Sequence, residues 1–427
     1  MKVKTLELEN YRGAEHLILH FDEKVSVMSG VNGSGKTSVL EALAIMLSRL
    51  IGRICSSTGT GRFFTETDVR NGTSEMVAGI EIDFSGKRAA WKVVKAAKKK
   101  KRQTITNLKE LASLAGDVRD ELESDKRSSL PVAVYYSVNR SVIDVPLRIR
   151  KTHIFDQLAA YETALSGRRN DFRLFFEWFR NREDYENEML RDNRRFVDPQ
   201  LDAVRQAIES FTGFSQIRIR RNPLRMEVFK EKERLDVRQL SDGEKCLLAL
   251  VGDLARRVAI ANPIDKKPLH GSGVVLIDEI DLHLHPAWQR DVLSKLTRTF
   301  PNCQFIVTTH SPQILGEVEA NRIRLLRADP KQGLMVVTPE RALGLDSSEV
   351  LEELMGTKRR DGEIDRAISR IDLLIDNEKF KEAKTSIAKL KKKVAGNIPA
   401  LLRSESYIAM LDVASEAPKN SSDGADE

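Results

Sequence analysis

Apolar and polar residues alternate through VKTLELENYRGAEHLILHF, with a break at Asn10 to Gly13, and this pattern predicts two strands joined by a turn. VSVMSG then reads as a short strand, and SVLEALAIMLSRL as a helix with apolar positions at Leu40, Leu43, Ile45 and Leu47. LPVAVYYSVNRSV, Leu130 to Val142, predicts a strand followed by Asn139 and Arg140. In DFRLFFEWFRNREDYENEMLRDN, Asp171 to Asn193, the rings of Phe172, Phe175, Phe176 and Phe179 keep the period of one helix face, which favours core packing over base stacking. A helix with apolar positions at Leu247, Leu250, Val251, Leu254 and Val258 follows Leu240. Val274 to Ile277 and the start of CQFIVTTHSPQIL read as buried strands. Beyond about residue 345, Ile364, Ile368, Ile371 and Leu374, then Phe380, Ala383, Ile387 and Leu390, predict two antiparallel helices with Asp376 to Glu378 at the turn. Such a pair either covers a core or offers a partner a docking surface.

The 427 residues suffice for two or three domains. No stretch approaches the roughly 18 apolar residues of a membrane span, and MKVKTLELEN has no secretory signal, so a soluble protein of the cytoplasm, without a membrane partner, is expected. Cys55, Cys246 and Cys303 are too scattered for a disulfide framework or a zinc site and read as buried thiols. The net charge of +7 is a mild excess of 70 basic over 63 acidic residues, and its distribution says more than its size. Lys92 to Gln103 holds seven cations in twelve residues, either a solvated hairpin tip or a run that attracts nucleic-acid phosphates. After Ala414 the chain is rich in Ser, Asp and Glu and is expected to be disordered.

Candidate chemistry begins between the third strand and the first helix, where Gly30-x-x-x-x-Gly35-Lys36-Thr37 fits a phosphate-binding loop. Its glycines let the backbone of Asn32, Gly33, Ser34 and Gly35 close on phosphate, with Ser38 in the helix turn that follows. Lys36 reaches the terminal phosphates and Thr37 ligates Mg²⁺ through its hydroxyl. Asp278 and Glu279 end the Val274–Ile277 strand. Asp278 is suited to hold Mg²⁺, and Glu279 to orient or deprotonate an attacking water. Ser241, Gly243 and Glu244 open the helix after Leu240 and read either as an anion-binding helix start or as a good N-cap. His310 closes a buried strand, where it can sense a terminal phosphate. His283 and His285 alternate without a third ligand and are left to structure, with Asp281 as the functional neighbour.

Taken in order, the phosphate loop, Ser241-Asp242-Gly243, the acid pair and His310 resemble an ABC-type ATPase head of the SMC, RecF and OLD-like group over residues 1 to about 80 and 225 to 330. The resemblance implies an α/β fold, a mixed sheet with flanking helices, carrying a helical insertion and a C-terminal helical region. It implies ATP and Mg²⁺ as ligands, Glu279 and His310 as catalytic groups, and two nucleotides sandwiched between Lys36 of one subunit and Ser241 and Gly243 of the other. Asn10-Tyr11-Arg12 resembles an element whose arginine approaches the nucleotide; the sequence has no clear glutamine loop, and Asp68 to Gly72 is only a candidate for its place. Lys36 and Ser241 are 205 residues apart with no sustained heptads between them, which excludes a long coiled coil, and no acidic cluster after His310 supplies a nuclease site. The expected segments are 1–130 and 226–345 as the two halves of the head, 131–225 as the insertion, 346–414 as the helical region and 415–427 as the tail.

WFRNREDYEN and YYSVNR further resemble the PtuA ATPases of Septu defence systems and those attached to retrons. That resemblance implies a dimerising, perhaps higher-order, regulatory ATPase controlling a separate HNH-type nuclease, with a reverse transcriptase and its RNA/DNA product as a further partner. The alternative is a RecF-like repair or recombination ATPase gripping DNA through Lys92 to Arg102.

Overall fold

The computed structural model describes residues 1–98, 104–125, 128–138, 155–167, 172–263, 267–329, 333–356 and 362–416. The expectations placed on Lys99 to Gln103, on Asn139 and Arg140 and on residues 417–427 lie outside them. Two compact units divide the chain, Met1–Val350 and Leu351–Glu427.

The first unit opens as its alternation predicts. Strands β1 (Lys2–Tyr11) and β2 (Ala14–His20) pair antiparallel, turning through Asn10 and Arg12 at φ 51° and 49°. Strand β3 (Val25–Ser29) runs into helix α1 (Lys36–Cys55), which is buried on almost every side. Strands β4 (Glu75–Phe84) and β5 (Lys87–Ala96) join the hairpin in a four-stranded antiparallel sheet ordered β2-β1-β4-β5. Lys92 thus lies inside β5, where Ala89, Trp91 and Val93 point to the core and its own amine meets Glu7 at 3.2 Å. Helix α2 (Lys109–Ser124) packs on α1 and β5.

Strand β6 (Val132–Tyr136) belongs to the central sheet. Helix α3 (Phe172–Asp192) buries all four phenylalanines of the aromatic run, so the core reading of those rings holds. The Phe175 ring fills the space where a side chain at Gly252 would sit, 2.8 Å from an ideal Cβ. Helix α4 (Pro199–Thr212) follows, then a small antiparallel sheet of β7 (Ser215–Arg221), β8 (Leu224–Lys230) and β9 (Glu233–Asp236). Helix α5 (Asp242–Ala261), almost wholly buried, packs against α3, α4 and β6.

Strand β10 (Gly273–Ile277), helix α6 (Pro286–Thr299), strand β11 (Cys303–Thr308), the short helix α7 (Pro312–Leu315) and strands β12 (Ile323–Asp329) and β13 (Gly333–Val337) finish this unit. The central sheet runs β13-β12-β3-β11-β10-β6, parallel throughout except for β13. Its middle strands are buried along their length because both faces are covered, and only a few polar residues, such as Ser26 and Gln304, interrupt their apolar runs. This is the mixed-sheet α/β architecture with flanking helices that the sequence implies. Cys246 and Cys303 are buried, but Cys55 is exposed, contrary to expectation, because α1 ends at that residue.

Helix α8 (Ser347–Glu353) precedes the helices of the second unit, α9 (Gly362–Asp376), α10 (Phe380–Lys393) and α11 (Pro399–Glu416). The two expected helices close on Ile368, Ile371, Ile375, Ala383, Ile387 and Leu390, and α11 adds Leu401 and Ile408 to the same core. Among the described residues no helix is long and apolar enough to cross a membrane.

Candidate functional site

Three neighbouring parallel strands, β3, β11 and β10, end on the same edge of the central sheet. β3 delivers the phosphate loop, β11 delivers Thr308, Thr309 and His310, and β10 delivers Asp278 and Glu279. Sheet order therefore brings together residues that are up to 280 positions apart in the chain, at the carboxyl edge where α/β sheets place ligands.

The loop is shaped for close approach. Gly33 and Gly35 adopt φ 80° and 85°, which a side chain would strain, and a Cβ on Gly30 would meet the Leu326 carbonyl oxygen at 2.3 Å. Helix α1 starts without a side-chain cap, so its first N–H groups and its dipole face the loop. The Ser34 hydroxyl is buried there with no hydrogen-bond partner. Asn32, Gly33 and Thr37 are exposed and Ser38 is half-buried. The Lys36 ammonium donates to the carbonyl oxygens of Gly30 and Val31 at 2.9 and 3.0 Å. Burial lowers its pKa, with Asp278, Glu279 and Asp281 opposing that shift.

Asp278 is held on both oxygens. Thr37 Oγ1 donates to Oδ2 at 2.8 Å, and Thr308 Oγ1 donates to Oδ1 at 2.6 Å. Thr308 also accepts from the Glu279 N–H at 2.7 Å, so one hydroxyl positions both acids. Glu279 sits at φ 45°, a left-handed conformation that residues other than glycine adopt at a cost, and the neighbouring bonds fix it. Asp281 accepts from the Thr309 hydroxyl at 2.6 Å and from the His310 N–H at 3.3 Å, tying the segment after the acid pair to the end of β11. His285 caps α6 through Nδ1, and the His283 carbonyl oxygen lies where a Cβ on Gly243 would intrude.

Arg12 is engaged by side chains beside the phosphate loop. Its guanidinium donates to Asp68 at 2.9 Å, to the Ser38 hydroxyl at 2.9 Å and to Glu41, which binds the turn of β1–β2 to α1 and to the Asp68–Gly72 stretch. Tyr11, Arg12, Gly33, Ser38, Asp329 and Leu334 line a cavity of about 350 Å³ beside the loop. Leu334 comes from β13 and would lie 2.9 Å from a Cβ on Gly35.

Ser241 and Glu244 form a capping box at the start of α5. Ser241 donates from its backbone N–H and its hydroxyl to the Glu244 carboxylate at 2.9 and 2.8 Å, and Lys230 closes on the same carboxylate at 2.7 Å. Burial alone would raise the Glu244 pKa, but the bonds from Lys230 and Ser241 outweigh it and hold the group below its ordinary value. Glu244 therefore spends its charge on the cap. A Cβ on Gly243 would come within 2.4 Å of the His283 carbonyl oxygen, so the start of α5 abuts the segment that follows Asp281.

Two partners escaped the sequence reading. Thr308 looks like any β-branched strand residue, and only its pairing with Asp278 across the sheet exposes its part. Glu41 lies one helical turn beyond Ser38, and that spacing, facing an arginine, was the available signal.

The residues present fit a nucleotide with a divalent cation. A glycine cradle, an uncapped helix start, an unpartnered buried hydroxyl and Lys36 suit phosphate. The Thr37 and Asp278 oxygens are the hard donors that Mg²⁺ takes.

The model of the family described as AAA domain, putative AbiEii toxin, type IV TA system matches residues 25–316. The retron Ec83 probable ATPase of Escherichia coli is 32% identical over 423 residues, covering 84% of this chain and 77% of that protein. The Septu protein PtuA of Bacillus thuringiensis is 23% identical over 394 residues, covering 88% of this chain and 90% of that protein. Among solved structures, the SMC head domain from Thermotoga maritima aligns with a TM-score of 0.44 at 14% identity, over 80% of this chain and 100% of that one.

Proposed function

The chain belongs to the AAA-domain ATPase family, with the defence-associated ATPases of retrons and Septu as relatives, and from that premise we propose that it is the ATP-hydrolysing regulatory subunit of an antiphage defence complex. The observation that carries this reading is the convergence of Lys36, Thr37, Asp278, Glu279 and His310 on one edge of the central sheet.

Lys36 and the N–H groups of residues 32–38 bind the phosphates of ATP. Thr37 and Asp278 hold Mg²⁺, which when bound supplies charge neutralisation at those phosphates. Glu279 orients and deprotonates the attacking water, and Thr308 keeps it beside Asp278. His310 senses the terminal phosphate, and Asp281 passes its position to the neighbouring segment. Two chains sandwich two nucleotides, each held on one side by Lys36 and on the other by Ser241 and Gly243 of the partner subunit. The start of α5 then acts on a nucleotide in trans while remaining an ordinary capped helix within its own chain.

Closure of this dimer controls a separate HNH-type nuclease, with a reverse transcriptase and its RNA/DNA product as a further partner of the complex. Residues 1–130 and 226–345 act as the two halves of the head together with β6, which pairs with β10 in the central sheet although it falls within the 131–225 insertion; the rest of 131–225 is the insertion, 346–414 a helical region for cover or docking, and 415–427 the tail. The site of action is the cytoplasm.

Purification of the tagged chain from its native operon with ATP present, followed by identification of every co-purifying protein and nucleic acid, tests the proposal. Recovery of a nuclease supports it. A homodimer carrying only bulk chromosomal DNA contradicts it and favours a RecF-like repair ATPase.

A further inference from the structure

The sheet β7–β9 has two unlike faces. Ile217, Ile219, Met226 and Val228 are buried on one of them. On the other, Arg218 stands opposite Glu227 and Arg220 opposite Arg225. Four guanidiniums converge on the single Glu227 carboxylate: Arg225 at 2.7 Å, Arg218 at 3.0 Å, Arg220 at 3.3 Å and Arg234 at 3.6 Å. The next acid on this face, Asp236, lies opposite Glu227 and is taken by Arg238 at 2.7 Å.

Holding a three-stranded sheet together requires no such surplus, since like charges side by side on neighbouring strands oppose pairing. Nor is the surplus hidden. The Glu227 side chain is 4% exposed, whereas those of Arg218, Arg220, Arg225 and Arg234 keep 37%, 52%, 35% and 35% of their surface. The carboxylate thus lies beneath a layer of cations that faces solvent. Glu231 and Glu233 at the β8–β9 turn are flanked by Lys230 and Lys232, and Lys230 is already paired with Glu244.

We propose that this arginine face binds the phosphate backbone of a nucleic acid. Planar guanidinium forks match phosphate oxygens two bonds at a time and compensate dense negative charge. A protein partner would instead call for an interface core depleted in charge, and this face is led by four arginines. Contacts of this kind position the strand without reading its bases, so binding is indifferent to sequence and steeply dependent on salt. The inference rests on the reading that nucleic acid belongs to the complex, and it places the contact on β7–β9 rather than on the Lys92 to Arg102 run.

Fluorescence anisotropy of a labelled oligonucleotide, single-stranded or duplex, titrated with the full chain across a range of salt, provides the test. The double variant Arg220→Gln/Arg234→Gln leaves Glu227 paired with Arg218 and Arg225, so the sheet keeps its internal ion pair. It is expected to weaken binding about tenfold or more and to flatten the plot of log K against log salt by roughly 2, about 0.9 per lost phosphate contact. Glu227→Gln unmasks the guanidiniums and is expected to tighten binding. Wild-type affinity and slope in the double variant would overturn the inference while leaving a nucleic-acid partner standing. No binding by the wild-type chain would overturn both. Displacement of the oligonucleotide by polyglutamate at equal charge concentration would overturn it in favour of an acidic protein.

Discussion

Asp278 is gripped by one threonine from the helix after the phosphate loop and one from the strand between that loop and the acid pair. Thr308 spends its hydroxyl twice, donating to Asp278 and accepting from the Glu279 backbone. The catalytic geometry therefore hangs on few atoms, and single changes should separate binding from turnover. Lys36→Ala is expected to abolish ATP binding in equilibrium titration, and normal affinity would remove the phosphate-loop assignment. Glu279→Gln is expected to bind ATP normally and to hydrolyse it about 10²–10⁴-fold more slowly. Turnover at the wild-type rate would reassign the base. These residues were legible in the sequence because glycine spacing and acids at a strand end are local signals. Thr308 and the bond between Asp281 and Thr309 were not, because they exist only once β10 and β11 lie side by side.

Helix α5 carries at its start the residues proposed to face a partner's nucleotide. Its N-cap is Ser241 and its first turn carries Gly243, and its fourth and fifth turns carry a fully buried cluster. Tyr136 donates to Asp253 at 3.0 Å, Arg256 and Arg257 each donate to it at 2.7 Å, and Arg257 also reaches the carbonyl oxygens of Ala160 and Glu162. Tyr136 ends β6, and its carbonyl accepts from the Asp278 N–H at 2.8 Å, so the cluster ties the helix to the strand that supports the acid pair. Burial works against the Asp253 charge, but the two arginines outweigh it and hold the carboxyl at about 2. A depressed carboxylate contributes stability that is present above its unfolded value of 3.8 and is lost as pH falls through about 2.

Asp253→Asn leaves two buried guanidiniums without a counter-charge and is expected to cost about 3–5 kcal/mol in denaturant unfolding at neutral pH. The gap between variant and wild type should narrow as pH drops from about 4 towards 2. A constant gap over that window would show that the Asp253 charge is not what stabilises the fold. None of this cluster was read from the sequence, since charged residues inside a helix ordinarily signal a solvated face. The helix α11 escaped as well, because its apolar residues go round it, with Leu401 and Ile408 inward and Leu402, Tyr407 and Met410 exposed. The regular amphipathic pairs α9 and α10, and the buried aromatic stripe of α3, followed their periodicity.

At the scale of the whole molecule the proposed site is one shared by two subunits. Within one chain the phosphate loop, acid pair and His310 gather on the sheet edge, while the bonds of Ser241 close on its own cap and Gly243 rests against the segment after Asp281. A helix start with serine and glycine, placed beside the acid-pair segment, has a chemical use if a second subunit supplies the nucleotide. The sequence carried this possibility only through the order of its motifs, since spacing along one chain says nothing about a site shared by two. The arginine face of β7–β9 was missed for a related reason: Arg218, Arg220, Arg225 and Arg234 are scattered in sequence, and only antiparallel register gathers them round Glu227.

The most direct test of the shared site is the mass in solution of the Glu279→Gln chain, measured with and without ATP and Mg²⁺, beside the same variant carrying Ser241→Arg. The expected result is an ATP-dependent rise in mass, at least a doubling of the nucleotide-free species, that disappears when Ser241→Arg is added although ATP still binds. A mass indifferent to ATP, or a rise that survives Ser241→Arg, would contradict it.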